Sequence, residues 1–267
     1  MPKFDASPQK AVKLVFVHHS CGRNWLCDTN GGLGIALKEN NYFVSDTYYG
    51  WGPDNIGDHT DIGHWWSWFC GPDSGKYTAA LYGLSDRCSD YSRLEGDPGG
   101  ENVIVLFKSC YPNSKLKGSN DKKVPDIVGN TLKGMDCSSE YHTIENAKGI
   151  YISLLEYFKT RQDKLFIAIT APPVIERNYA NNARSFNTWL SHEWLKDYPY
   201  KNVGVFDFYN ILADKEDNSA KYPTAENDSH PNPTGNQKAT EGFIPVLNIL
   251  YNCLMQENNA TQGHGLI

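Results

Sequence analysis

Four short runs of continuous apolar, β-branched and aromatic residues, at 12–17, 102–107, 165–170 and 203–208, limit what this 267-residue chain can build. A strand with one face in water alternates apolar and polar residues. These runs do not, so each is expected to be buried on both faces, as in a parallel sheet covered by helices. A fifth run, 42–47, is less apolar. Segments of helical period lie between them at 32–40, 145–161, 180–196 and 235–254; in the second, Ala147, Ile150, Leu154, Leu155 and Phe158 share one stripe. Strands alternating with helices predict a doubly wound α/β sheet. Two long inserts, 50–100 and 108–143, are rich in Gly, Asp, Ser and Pro and follow strand C-terminal ends, the edge at which open α/β sheets bind ligands. No repeat, low-complexity tract or linker divides the sequence. The expectation is a single domain over 1–267, with its core at about 12–254 and an aromatic insert at about 50–100.

Charge narrows the partners. Lys and Arg number 25 against 31 Asp and Glu, a net −6 without a basic patch, which argues against nucleic acid or an anionic membrane surface. No stretch approaches the roughly 20 apolar residues that span a bilayer. The start, Met1-Pro2-Lys3-Phe4-Asp5, is polar. We expect a secreted or periplasmic protein whose leader is not in this sequence, with the cytoplasm as the alternative. Seven cysteines, at 21, 27, 70, 88, 110, 137 and 253, leave at least one without an intramolecular partner. No CxxC pair suggests structural zinc. Cys70 with Cys88, or Cys21 with Cys27, are the candidate pairs in an oxidising compartment, and buried free thiols are the other reading.

Three motifs carry chemistry. The first strand runs into His18-His19-Ser20-Cys21-Gly22, which puts the Ser20 hydroxyl at the sheet's C-terminal edge. Near the end, Asn227-Asp228-Ser229-His230-Pro231-Asn232 places a carboxylate beside a histidine just before the last helical segment. A histidine acting as a base needs such a partner to fix its tautomer. Past the third strand, Cys110-Tyr111-Pro112-Asn113-Ser114 offers a side-chain amide able to donate to an oxyanion. GxSxG, Walker A and GxGxxG motifs are absent.

Together these motifs, in order and spacing from Val12 to about Leu254, resemble the SGNH (GDSL-like) hydrolase family. The family's Gly-Asp-Ser reads His18-His19-Ser20 here, its Gly-x-Asn-Asp is replaced by Cys110 to Ser114, and its acid stands two rather than three residues before His230. The resemblance implies a flavodoxin-like three-layer α/β/α fold with a five-stranded parallel sheet and long loop inserts at the strand C-terminal edge. It also implies a serine esterase. Ser20 would be the nucleophile, His230 the base and Asp228 the orienting acid, with Gly52 (or Gly50) and Asn113 in the oxyanion hole and no metal or cofactor.

Asp207 is a rival acid, and a backbone carbonyl is another means of orienting His230. Trp51, Trp65, Trp66 and Trp68 in the first insert are expected either to wall a substrate pocket or to pack on themselves. Asp54, Asp58, His59, Asp61 and His64 fit no specific metal template. The expected substrate is a small-molecule or carbohydrate ester, short-chain acyl groups and sugar O-acetyl groups foremost. Aryl or short alkyl esters without sugar preference are an alternative, and a non-catalytic sugar-binding module on a hydrolase scaffold is another. The sequence gives no oligomeric state.

Overall fold

The computed structural model describes residues 4–263. Its central sheet holds five parallel strands: β1 (Val12–Val17), β2 (Tyr42–Thr47), β3 (Ile104–Lys108), β4 (Leu165–Ile169) and β5 (Val203–Phe206). They lie in the order β2-β1-β3-β4-β5, the flavodoxin-like arrangement. The helices are α1 (Ser20–Leu26), α2 (Leu33–Glu39), α3 (His64–Phe69), α4 (Ser74–Gly83), α5 (Ile144–Phe158), α6 (Ala180–His192), α7 (Phe208–Leu212) and α8 (Pro233–Gly263). No helix among the described residues is long and apolar enough to cross a membrane.

The continuous apolar runs are explained by two cores, one on each sheet face. Val15 and Val17 of β1 join Val105, Phe107 and Phe166 beneath α3, α4, α5 and α6. The alternate residues Leu14 and Phe16 join Ile104, Leu106 and Ile167 beneath α1, α2 and α8. Successive side chains point to opposite faces, so a strand covered on both sides is apolar at most positions.

The element ends differ from the sequence reading for local reasons. Strand β5 stops at Phe206 because Asp207 leaves the ladder to cap α7, its Oδ1 accepting the Asn210 N–H at 3.0 Å. Strand β3 starts late because Asn102 donates its amide to the Leu81, Tyr82 and Leu84 carbonyls at the end of α4. The first insert is not a plain loop but holds α3 and α4. The segment containing His230 is a hairpin of β6 (Pro223–Ala225) and β7 (Asp228–Pro231).

Candidate functional site

Ser20 is the first residue of α1, directly beyond the C-terminal end of β1. The helix starts there because the extended His19 turns its carbonyl to the N–H groups of Gly22 and Arg23, at 2.8 and 3.0 Å. As an N-terminal residue, Ser20 has a backbone N–H with no intrahelical acceptor. His18 braces this turn. Its Nδ1 donates to the His19 carbonyl at 2.9 Å, and its ring lies where a side chain on Gly22 would have to go.

His18 is wholly buried and places Nε2 3.1 Å from Asp46, also wholly buried. Asp46 further accepts from the Cys88 and Ser89 N–H groups and from the Ser89 and Tyr91 hydroxyls. Burial by itself would raise its pKa. The His18 bond and charge, with the Ser89 and Cys88 donors, outweigh burial and hold it below the usual carboxylate range. A depressed folded pKa contributes stability that is present above the unfolded value and lost as pH falls through the folded one. Asp46→Asn should therefore lower unfolding stability by about 3–5 kcal/mol at neutral pH. Denaturant titration reads this, and a loss under about 1 kcal/mol would contradict it.

His230 meets Ser20 from the hairpin, 210 residues away in sequence, with Nε2 2.7 Å from the Ser20 Oγ. Its Nδ1 lies 2.5 Å from Oδ1 of Asp228, and the same oxygen accepts the His230 N–H at 3.0 Å. The two-residue spacing works because both residues sit on one strand, where i and i+2 share a face. Ser229 and Pro231 are buried on the opposite face, and the Ser229 Oγ accepts the Ile175 N–H at 3.1 Å. The Thr224 hydroxyl donates to the His230 carbonyl, and the Tyr111 ring meets the imidazole edge-on with centroids 4.9 Å apart.

Asp228 lies below the usual carboxylate range because the His230 backbone N–H, then its ring, donate to it. The imidazole pKa is raised first by the Cys110 sulfur and then, against the opposing effect of burial, by Asp228. Asp207 caps α7, with Thr170 also donating to it, and is not the acid beside His230.

The other expected residues divide. The Gly50 amide is committed to Asp58 at 2.8 Å. Gly52, at φ +78°, has no such acceptor among the described residues and opens the turn that continues to Gly57, whose carbonyl holds His19 at 2.7 Å. Asn113 is wholly buried. Its Oδ1 accepts the Ile62 N–H at 2.9 Å, and its Nδ2 donates to Asp61 at 2.6 Å and, more weakly, to the Cys110 carbonyl at 3.3 Å. This amide clamps the turn after β3 to the first insert.

The tryptophans belong mostly to the packed reading. Trp65 and Trp68 are fully enclosed, their indole N–H groups bonded to the Ser109 Oγ and the His59 carbonyl, so neither offers a free face. Trp51 stacks on Trp68, and Trp51 and Trp66 are half-buried at the edge of that core. The aromatics beside Ser20 and His230 are Tyr49, 55% exposed with its ring tilted against His19 at 3.9 Å between centroids, and the half-buried Tyr111. The sequence reading missed both, since nothing local marks a tyrosine as facing a site.

The charged residues of the insert are used separately. Asp54 binds Lys76 and Tyr77, Asp58 binds Gly50, Asp61 binds Asn113 and Cys137, and the His64 Nδ1 accepts the Asp61 N–H. A different trio, Cys21, Cys110 and His230, brings its sulfur and nitrogen atoms within 4.8 Å of one another. It is a thiol pair rather than a cation site: His230 Nε2 is engaged with Ser20, and the buried Lys108 ammonium alongside opposes a second cation. All seven cysteines are free. Cys21 faces Cys110, not Cys27. A hollow of about 860 Å³ lies at the opposite, N-terminal edge of the sheet, lined by Val12, Lys13 and Val103, away from these groups.

No family model matches the chain, and no curated protein matches its sequence. Solved structures do match in fold. A protein of Bacteroides fragilis provisionally named an acylhydrolase aligns at TM-score 0.50 and 11% identity, over 93% of this chain and 91% of that one. One of Desulfitobacterium hafniense, provisionally named a lipolytic protein of the G-D-S-L family, aligns at TM-score 0.44 and 14% identity, over 88% and 99%. A carbohydrate esterase described as having divergent catalytic and non-catalytic binding functions aligns at TM-score 0.42 and 13% identity, over 91% of this chain and 66% of its own. At these identities the likeness is one of fold.

Proposed function

We propose that this chain is a serine esterase of SGNH type. The observation that carries the reading is the continuous hydrogen-bonded line from Ser20 through His230 to Asp228 at the C-terminal edge of the sheet. His230 takes the Ser20 proton as Oγ attacks an ester carbonyl, and Asp228 stabilises the imidazolium that forms. The imidazolium then returns the proton to the leaving alcohol. Water, deprotonated by the same His230, cleaves the acyl-enzyme. The oxyanion is received by the Ser20 and Gly52 N–H groups and by the weaker-bonded amide proton of Asn113. One such donor is typically worth about 3 kcal/mol in the transition state.

The favoured substrate is a short acyl ester, with sugar O-acetyl groups supported by the exposed Tyr49 face beside Ser20. Turnover of p-nitrophenyl acetate tests the reaction, and acetylated oligosaccharides test the class. Tyr49→Ala should raise KM for an acetylated oligosaccharide about 2- to 10-fold, the scale of one lost aromatic contact, and leave KM for p-nitrophenyl acetate nearly unchanged. Equal effects on both substrates would favour an esterase without sugar preference.

A further inference from the structure

The esterase mechanism leaves unused a buried thiol pair that touches its nucleophile. Cys21 is wholly buried on α1, next to Ser20, and Cys110 follows β3. Their sulfurs are 3.1 Å apart, and the Cys110 Sγ is 3.4 Å from the Ser20 Oγ. Lys108, 1% exposed, donates to the Ser109 carbonyl and lies over the Phe208 ring, with no carboxylate at ion-pair distance among the described residues. A buried ammonium needs a counter-charge, and Lys108 interacts electrostatically with the Cys110 sulfur.

We propose that Cys21 and Cys110 form a site of reversible oxidation by hydroperoxides, whose disulfide relieves His230 of a neighbouring negative charge and so changes the pH range in which His230 acts as a base. The regulatory half rests on the esterase reading; the oxidation site does not.

The thiolate belongs to Cys110. The Cys21 bond, with Lys108, His230 and Ser20, draws its pKa well down despite burial, while burial pushes Cys21 up. Cys110 is therefore the more acidic of the two sulfurs. The remaining groups facing Cys110 are His19, Tyr49 and Tyr111, and those facing His230 are Ser20, Asp228 and Tyr111. The Cys110 thiolate attacks a peroxide oxygen, the O–O bond breaks, and hydroxide leaves and is protonated to water, giving a sulfenic acid. The Cys21 sulfur attacks that sulfur, the S–O bond breaks, and the Cys21 proton leaves with the hydroxyl as a second water. One thiolate, one thiol, one solvent proton and one hydrogen peroxide become one disulfide and two waters, and a dithiol reverses the change.

In the reduced protein the thiolate favours the His230 imidazolium, which cannot accept the Ser20 proton. Losing a nearby negative charge lowers an imidazolium pKa, so oxidation should move the acid limb of kcat/KM to lower pH. Well below that limb, turnover should rise by about tenfold.

The test treats the whole chain with hydrogen peroxide. Mass spectrometry of its peptides reads the cross-link, and NMR titration of the His230 ring reads its proton affinity without substrate. The expected result is a dithiol-reversible Cys21–Cys110 cross-link formed ahead of any other pair, with a lower His230 midpoint. Cys110→Ala should have the lower midpoint without peroxide and ignore peroxide. Cys21→Ser should keep the reduced-form midpoint and form no such cross-link. Absence of the cross-link in the wild-type chain, or a cross-link that leaves the His230 midpoint unmoved, overturns the proposal. A cross-link and midpoint shift in a chain that hydrolyses no ester would instead count against the esterase reading alone.

Discussion

Ser20→Ala is expected to leave the fold intact and to lower kcat/KM for p-nitrophenyl acetate by at least about 10⁴-fold. The hydroxyl is half-buried, and its contacts are to His230 and the Cys110 sulfur, so its loss removes no packing from either core. What it removes is the atom that forms the acyl-enzyme. The oxyanion donors and the base remain, so turnover should fall to a residual level above that of water rather than to zero. Thermal denaturation within a few degrees of wild type, together with the loss of turnover, is the expected pair of results. Retention of a tenth of wild-type activity would remove Ser20 from the role.

Asp228→Asn should cost about 10³- to 10⁴-fold in turnover, the scale seen when the acid of a Ser-His-Asp triad is neutralised. The carboxylate oxygen accepts both the ring and the backbone N–H of His230. An asparagine that turns its amide toward Nδ1 moves the ring proton to Nε2, where it faces Ser20 and blocks proton uptake. The pH profile gives a second reading with a definite sign. Asp228 is one of the groups raising the His230 pKa. Removing its charge should move the acid limb of kcat/KM to lower pH. An unmoved limb with a loss under about tenfold would mean that Asp228 does not orient His230.

The sheet was legible because its signal is local. A strand covered on both faces has to be apolar at nearly every position: Leu165–Ile169 is apolar throughout, and Val12–Val17 is apolar except at Lys13, whose ammonium reaches Asp97. The site was legible in its parts. A serine at the end of the first strand and an acid-histidine pair before the last helix can each be read within a few residues. The reason the two-residue spacing serves was not, because it depends on β7 being a strand in a three-residue by four-residue hairpin too short to show a period. Helices α3 and α4 were hidden by their glycine-rich surroundings and by indoles that could serve equally as core or as wall. Asn113 showed a similar ambiguity: an amide in a turn says nothing about whether Asp61 will claim one of its protons. Least legible was the contact of Cys21 with Cys110, 89 residues apart, which only the parallel pairing of β1 with β3 brings about.

The most direct test of the account is covalent labelling with a fluorophosphonate, followed by peptide mass mapping, on the wild-type chain and on His230→Ala. A serine made nucleophilic by a base reacts with such a reagent, and an ordinary helix-start serine does not. One phosphonyl group per chain is expected, on Ser20, with labelling slowed at least about 10³-fold in His230→Ala. An unlabelled Ser20 in folded wild-type protein, or labelling at the same rate without His230, would contradict it.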